Sequence, residues 1–292
     1  MSPHPHTLRI GQFSESPVLA VARALGLDSQ YGLDWETHRV PSSPAQFGSL
    51  RSGELDIAIT SPDNVMLYAT TENNPLGETL DLHFLRTIDR GMGLALYTDS
   101  TISAPADLAT ASLGVDVMSS GFALLLLRML DHLGVDRREI TFEAVGATPK
   151  RLGAILAGEI QGSVLNAETA ISAQEAGLTQ WVTSRDVSDN YLGTVLAQLG
   201  DTVSPAVSDF LLMWDDATRS IHELEPHDVM VLLQAQAPAL ATAPYVDLLR
   251  STDFGVMLDD QVNVEHLRVL AEIRRATSAY APSDDELQRL AS

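Results

Sequence analysis

Two stretches of this chain repeat one pattern 105 residues apart, and a duplicated layout of that length leaves few folds open. Leu8 to Ser14 (LRIGQFS) precedes a long apolar helix, and Leu113 to Ser119 (LGVDVMS) precedes another. The offset runs on without a gap through Arg23 and Arg128, Leu25 and Leu130, Val40 and Val145, Pro44 and Pro149, Gly48 and Gly153, and Gly53 and Gly158. Register held across several elements is hard to obtain from generic periodicity. Two α/β lobes are expected, with a cleft between them at the carboxyl ends of the strands.

Residues 8–13 read as a strand, 17–27 as a helix opened by Pro17, and 32–40 as a turn and a second strand. A helix over 43–51, closed by Gly53, leads into a buried strand at 56–60. Further strands fall at 82–88 and 93–97. The second copy places strands at 112–118, 140–145 and 161–165, with helices at 121–133 and 148–157. This alternation predicts a mostly parallel sheet in each lobe. Residues 191–198 read as a strand returning the chain to the first lobe, and the helical pattern from Ser204 onward is expected to wrap that lobe. The expected domains are 8–97 with 196–292 as lobe 1 and 98–195 as lobe 2, with a hinge at the two crossings.

Four segments in this order carry a family resemblance. They are Ser16 to Leu27 with Tyr31 to Glu36, Gly53 to Asp63 (GELDIAITSPD), Leu156 to Gln161 (LAGEIQ), and Asn166 to Glu168. Together they resemble the two-lobed type 2 periplasmic binding proteins, in particular the group that binds sulfonates, nitrate and thiamine pyrimidine precursors. The resemblance covers about residues 8 to 200 and implies a substrate-binding protein of an ABC-type importer, or a related sensor, with a permease as partner. The chain departs from the group in two ways. Its start shows no export signal, and it lacks the cysteine-rich motif of the eukaryotic pyrimidine synthases, having no cysteine at all. The expectation is a cytoplasmic protein as written, or an extracytoplasmic one if a leader has been removed.

Charge narrows the partners. With 39 acidic against 18 basic residues the net charge is −21, a field that repels nucleic acid and anionic lipid. No apolar run approaches the ~20 residues of a membrane span, so no membrane insertion is expected. No dinucleotide fingerprint, phosphate loop or nucleophile elbow is present. No cofactor is expected: a pyridoxal phosphate Schiff base would need Lys150, the one lysine, which reads as a solvated helix residue. No metal site is expected either. His222 and His227 are five apart with Pro226 between them, and His4 and His6 lie in a tail.

Four loops that follow strands are expected to converge on the cleft: Gln12, Phe13, Ser14 and Glu15; Ser61, Asp63 and Asn64; Met118, Ser119, Ser120, Gly121 and Phe122; and Asn166 with Glu168. Ser14 and Ser119 sit at helix N-termini, where they serve as caps or as parts of an anion or carbonyl site. Phe13, Phe122 and Met118 either clamp a flat ligand or pack in the core. Glu15, Asp63 and Glu168 would make the cleft acidic, suiting an amine, amidine or protonated heterocycle. Arg90 and Tyr191, near the crossings, complete the set. The alternative to a binding protein is an enzyme on the same scaffold, a decarboxylase, lyase or pyrimidine-precursor synthase, using Glu15 and Asp63 as acid or base.

Overall fold

The computed structural model describes residues 7–258, 261–278 and 280–291. His4 and His6 lie outside the described residues. The first lobe is opened by β1 (Thr7–Gln12), α1 (Pro17–Ala24), α2 (Leu27–Gln30), β2 (Asp34–Arg39), α3 (Ser43–Arg51), β3 (Ile57–Thr60), α4 (Pro62–Thr70) and β4 (Leu82–Asp89). The second is built from β5 (Ala95–Thr98), β6 (Ser112–Val115), α5 (Gly121–His132), β7 (Thr141–Ala144), α6 (Thr148–Leu156), β8 (Gly162–Leu165), α7 (Ala167–Glu175), β9 (Thr179–Thr183) and α8 (Ser184–Val187). The chain then returns through β10 (Thr194–Leu199) and ends in α9 (Pro205–Glu223), α10 (Pro226–Gln236), α11 (Ala243–Leu249), α12 (Val264–Thr277) and α13 (Asp284–Leu290).

Two five-stranded sheets result, in the orders β2-β1-β3-β10-β4 and β7-β6-β8-β5-β9. Each is mixed, with four strands sharing one direction, as expected, and one running against them. β1 pairs in parallel with β2 and β3, and β6 with β7 and β8, whereas β10 and β5, the strands that follow the crossings, run antiparallel to both of their neighbours. A strand that enters from the other lobe arrives from the opposite end of the sheet, which fixes that direction.

The repeat survives in three dimensions. α3 and α6, β3 and β8, and α4 and α7 begin and end 105 residues apart. The first strands do not keep that offset: Gly11 pairs with Ala58 as Gly114 pairs with Ser163, so β1 and β6 are displaced by 103. The helices that follow begin 104 apart, so the caps that correspond are Ser16 and Ser120, which precede α1 and α5, and not Ser14 and Ser119.

Local chemistry explains the elements. Ser16 accepts from the Leu19 amide at 3.3 Å, Pro17 supplies a preset φ, and Val18 to Ala22 are all buried against the sheet and the C-terminal helices. Burying each such Val or Leu contributes roughly 1.5–3 kcal/mol. Gly53 and Gly158 end equivalent helices at φ 72° and 71°, where a side chain would be strained. Helices α9 and α10 pack on α1, as expected of the first lobe, while α12 rests on both α4 and α5 and so reaches the second. Among the described residues no helix is long and apolar enough to cross a membrane.

The two crossings meet at glycines. A Cβ on Gly193 would lie 2.5 Å from the Gly91 Cα and 2.3 Å from Asp89 Oδ1. Beside them Met92 (φ 46°) and Ala167 (φ 50°) hold left-handed conformations that cost non-glycine residues about 1–3 kcal/mol each, and the Ala167 amide donates to the Met92 carbonyl at 2.6 Å. Gly193→Ala is expected to destabilise the protein by about 1–3 kcal/mol in urea unfolding, because backbone must move. Gly153→Ala, mid-helix with no atom within 4 Å of its Cβ, is expected to stabilise it by roughly 0.5–1 kcal/mol.

Candidate functional site

A cavity lies between the lobes at the carboxyl ends of β1, β3, β6 and β8. Its rim is closed by direct bonds from one lobe to the other. The Ser43 amide and hydroxyl donate to Asp116 Oδ2 at 3.0 and 2.6 Å, the Gly121 amide donates to Asn64 Oδ1 at 3.1 Å, and the Ala147 amide donates to the Pro41 carbonyl at 3.3 Å.

Eight of the residues expected from the sequence line this cavity: Phe13, Ser14, Glu15, Ser61, Asn64, Ser120, Phe122 and Asn166. Each sits in a turn after a strand or in the first turn of the following helix. Phe13 and Phe122, with Ile59, Ile88, Tyr245 and Val256, make much of the wall apolar.

The others fall elsewhere, each for a physical reason. Asp63 is 2% exposed and is held by Arg274 of α12, whose Nε and Nη2 donate to its two oxygens at 2.7 Å each. Committed to that bidentate pair, it is not a free acid or base. The Ser119 carbonyl accepts from the same guanidinium at 3.0 Å. Gly121 is pressed against Ser61 and Asp63, leaving no room for a Cβ. Met118 points outward, 44% exposed. Tyr191 is buried in the core, and its hydroxyl lacks a partner among the described residues. Arg90 is half-buried off the cavity wall, its amide donating to the Gly255 carbonyl. Gln12 faces a smaller hollow beside Trp35. Glu168 lies off the wall, and burial pushes its carboxyl upward against opposing hydrogen bonds from its own amide and Ser14.

Seven polar residues on the wall were not among the expected site residues: Ser16, Thr60, Asp89, Asp116, Thr148, Arg151 and Thr194. Asp89 ends β4 at the first crossing and accepts from the Gly91 amide at 2.6 Å and from the Thr194 hydroxyl. Burial raises its pKa to about 6, against those two hydrogen bonds. Arg151 is 3% exposed, and burial lowers its pKa to about 10 while the Asp116 charge opposes the shift. It donates to the carbonyls of Gly146 and Val164 and to Thr148 Oγ1 at 2.6, 3.2 and 3.0 Å. The repeat itself could have located Arg151, since it stands 105 residues after Gln46, whose bond to the Ile59 carbonyl matches that of Arg151 to the Val164 carbonyl. Nothing in the sequence marked Tyr245 or Val256.

The cavity thus carries three carboxylates, Glu15, Asp89 and Asp116, against one guanidinium, Arg151. Such a site favours a ligand that brings hydrogen-bond donors or positive charge. Among the described residues no cluster of three or more His, Asp or Glu side chains is arranged to hold a metal ion.

Solved structures share this architecture. The alkanesulfonate-binding protein SsuA from Xanthomonas axonopodis pv. citri, bound to MOPS, superposes with a TM-score of 0.74 at 15% identity, covering 97% of this chain and 96% of its own. The periplasmic nitrate-binding protein NrtA from Synechocystis PCC 6803 gives 0.76 at 12% identity over 98% and 85%. The ligand-binding component of an ABC-type import system from Staphylococcus aureus, with zinc bound, gives 0.75 at 13% over 98% and 99%. No protein-family model matches the sequence, and no curated protein matches it significantly. At these identities the likeness establishes the fold, which is the two-lobed fold of periplasmic binding proteins.

The buried charges set two expectations for stability. Asp89 titrates near 6 in the folded protein against the ordinary 3.8 of an aspartate, so the native state holds its proton more tightly, and its contribution to stability is lost as pH rises from about 4 through 6. Asp89→Asn should flatten the loss of stability over that window and stabilise the protein at pH 7 by roughly 2 kcal/mol, read from urea unfolding at several pH values. Arg274→Met strands the Asp63 carboxylate in the core and is expected to cost about 3–5 kcal/mol in the same assay.

Proposed function

We propose that this protein is the substrate-binding component of an ABC-type importer, closing its two lobes over a small organic molecule that carries a donor-rich nitrogen group, and docking in that form on a permease. The observation that carries the reading is the excess of carboxylates over guanidinium on the wall of a cavity bridged by hydrogen bonds from both lobes. The apolar faces of Phe13, Phe122 and Tyr245 favour an aromatic or heteroaromatic body, in line with the pyrimidine-precursor side of the resemblance. The relatives named for alkanesulfonate and nitrate support the receptor role, and an extracytoplasmic location goes with it. Their anionic ligands fit this wall poorly, because a free anion would meet Glu15, Asp89 and Asp116. Residues 8–97 with 196–292, and 98–195, would be the two bodies that separate on release. The enzyme reading loses one of its two carboxylates, since Asp63 is consumed by Arg274.

The test is thermal denaturation of the full chain with nitrate, methanesulfonate and 4-aminopyrimidine. At a hundredfold excess over Kd the aminoheterocycle should stabilise the protein by about 2.7 kcal/mol, a rise in Tm of roughly 5 °C, with no effect of the two anions. Saturable binding of nitrate or methanesulfonate in place of the heterocycle refutes the ligand class. Failure of every compound, together with no small molecule retained from a metabolite extract in native mass spectrometry, refutes the receptor reading.

A further inference from the structure

The lobes share one layout, so positions where the second departs from the first show what it holds beyond the needs of folding. Gly11 and Gly114 occupy the same station: a Cβ on either would come 2.4 Å from a methyl of Leu55 or Ile160, residues 105 apart. Two residues on, Phe13 in the first lobe corresponds to Asp116 in the second. Gln46 corresponds to Arg151. Gln46 Nε2 ties the Gly11 and Ile59 carbonyls together at 3.0 Å each, a structural task that an amide suffices for. Ser16 caps its helix through the Leu19 amide, while the equivalent Ser120 makes no such bond. A phenyl ring, an amide and an engaged hydroxyl have become a carboxylate, a guanidinium and an unengaged hydroxyl.

All three line the interlobe cavity, and all are buried, at 8% exposure for Asp116 and 3% for Arg151 and Ser120. Each retains one polar atom with no partner among the described residues: Asp116 Oδ1, Arg151 Nε and Ser120 Oγ. Their other polar atoms are committed, Asp116 Oδ2 to Ser43 and the two terminal nitrogens of Arg151 to Gly146, Thr148 and Val164. Asp116 acts on Arg151 through its charge without forming an ion pair. Buried donors and acceptors are rarely left unpaired, and three on residues that line one cavity mark a surface completed by something else.

We propose that Asp116, Arg151 and Ser120 form a recognition edge for a planar nitrogen group presenting a donor beside an acceptor: a carboxamide, a cyclic amide or an amino-substituted nitrogen heterocycle. The donor meets Asp116 Oδ1, the acceptor meets Arg151 Nε, and the Ser120 hydroxyl turns to either. A carboxylate or sulfonate presents acceptors only and sets a lone pair against Asp116. An alkylammonium presents donors only and leaves the Arg151 Nε–H unmet. This assignment rests on the receptor reading above and names the part of the ligand that the second lobe reads.

The experiment is calorimetric titration of the full chain with benzamide, benzoate and benzylamine, which share one ring, and with 4-aminopyrimidine. Benzamide and 4-aminopyrimidine are expected to bind at least roughly tenfold tighter than the other two, the worth of one charge-assisted hydrogen bond. In Asp116→Asn the amide Oδ1 can keep the Ser43 contact while Nδ2 turns a donor into the cavity, so benzoate should gain, benzamide should lose, and the order should reverse. Arg151→Gln keeps an amide donor for the Val164 carbonyl, as Gln46 does for Ile59, and is expected to fold while losing the amide preference. A wild-type preference for benzoate or benzylamine, or an order unchanged in Asp116→Asn, overturns the edge and leaves the receptor reading standing. No saturable binding by any of the four compounds overturns the edge, and, with no small molecule retained in native mass spectrometry, the receptor reading as well.

Discussion

The closed arrangement depends on one buried ion pair. Asp63 opens the helix after β3, Arg274 comes from the penultimate helix, and the same guanidinium reaches the Ser119 carbonyl at the start of the second lobe's first helix. Both partners are almost fully buried, so each charge has surrendered its hydration and is tolerable only because the other is there. Such a pair adds little net stability over an apolar substitute, but it is intolerant of displacement. It fixes where α12 lies, and α12 in turn rests on α4 of one lobe and α5 of the other. The cleft is defined by this three-way junction as much as by the two sheets.

Around that junction the duplicated lobes have diverged in chemistry while keeping their frame. Gly11 and Gly114 allow the same close approach of a core side chain, and Gln46 and Arg151 each donate to the corresponding carbonyl of Ile59 or Val164. The first lobe faces the cavity with Phe13, Ser14 and Glu15, whereas the second presents Asp116, Ser120 and Arg151. Between them, at the crossings, Asp89 binds both connecting segments through Gly91 and Thr194 and still lines the cavity. The charged groups are therefore placed where closure brings them together, in surroundings that burial keeps poorly hydrated.

Much of the frame could be read before any coordinates. The offset of 105 carried α3 onto α6, β3 onto β8 and α4 onto α7 without error, because helix and strand lengths within a repeated packing unit are set by local contacts. It fails at the first strand and the helix after it, which are offset by 103 and 104, so it matches Ser14 with Ser119 where Ser16 and Ser120 correspond. The loops at the cleft were legible by position, hence Phe13, Asn64, Phe122 and Asn166 on the wall. What spacing could not supply was the partner of Asp63, which lies 211 residues away in the sequence, or the outward turn of Met118. Asp89 escaped because the end of a strand at a crossing carries no motif, and Tyr245 because its helix reaches the cavity only through tertiary packing.

The bond from Arg274 to the second lobe ends on a main-chain oxygen rather than a side chain. Every residue type supplies a carbonyl there, so exchanging the side chain at position 119 leaves this acceptor in place. The latch is consequently editable from one end alone: variation in the loop before α5 can retune what the second lobe offers to a guest without loosening the grip of the C-terminal helix.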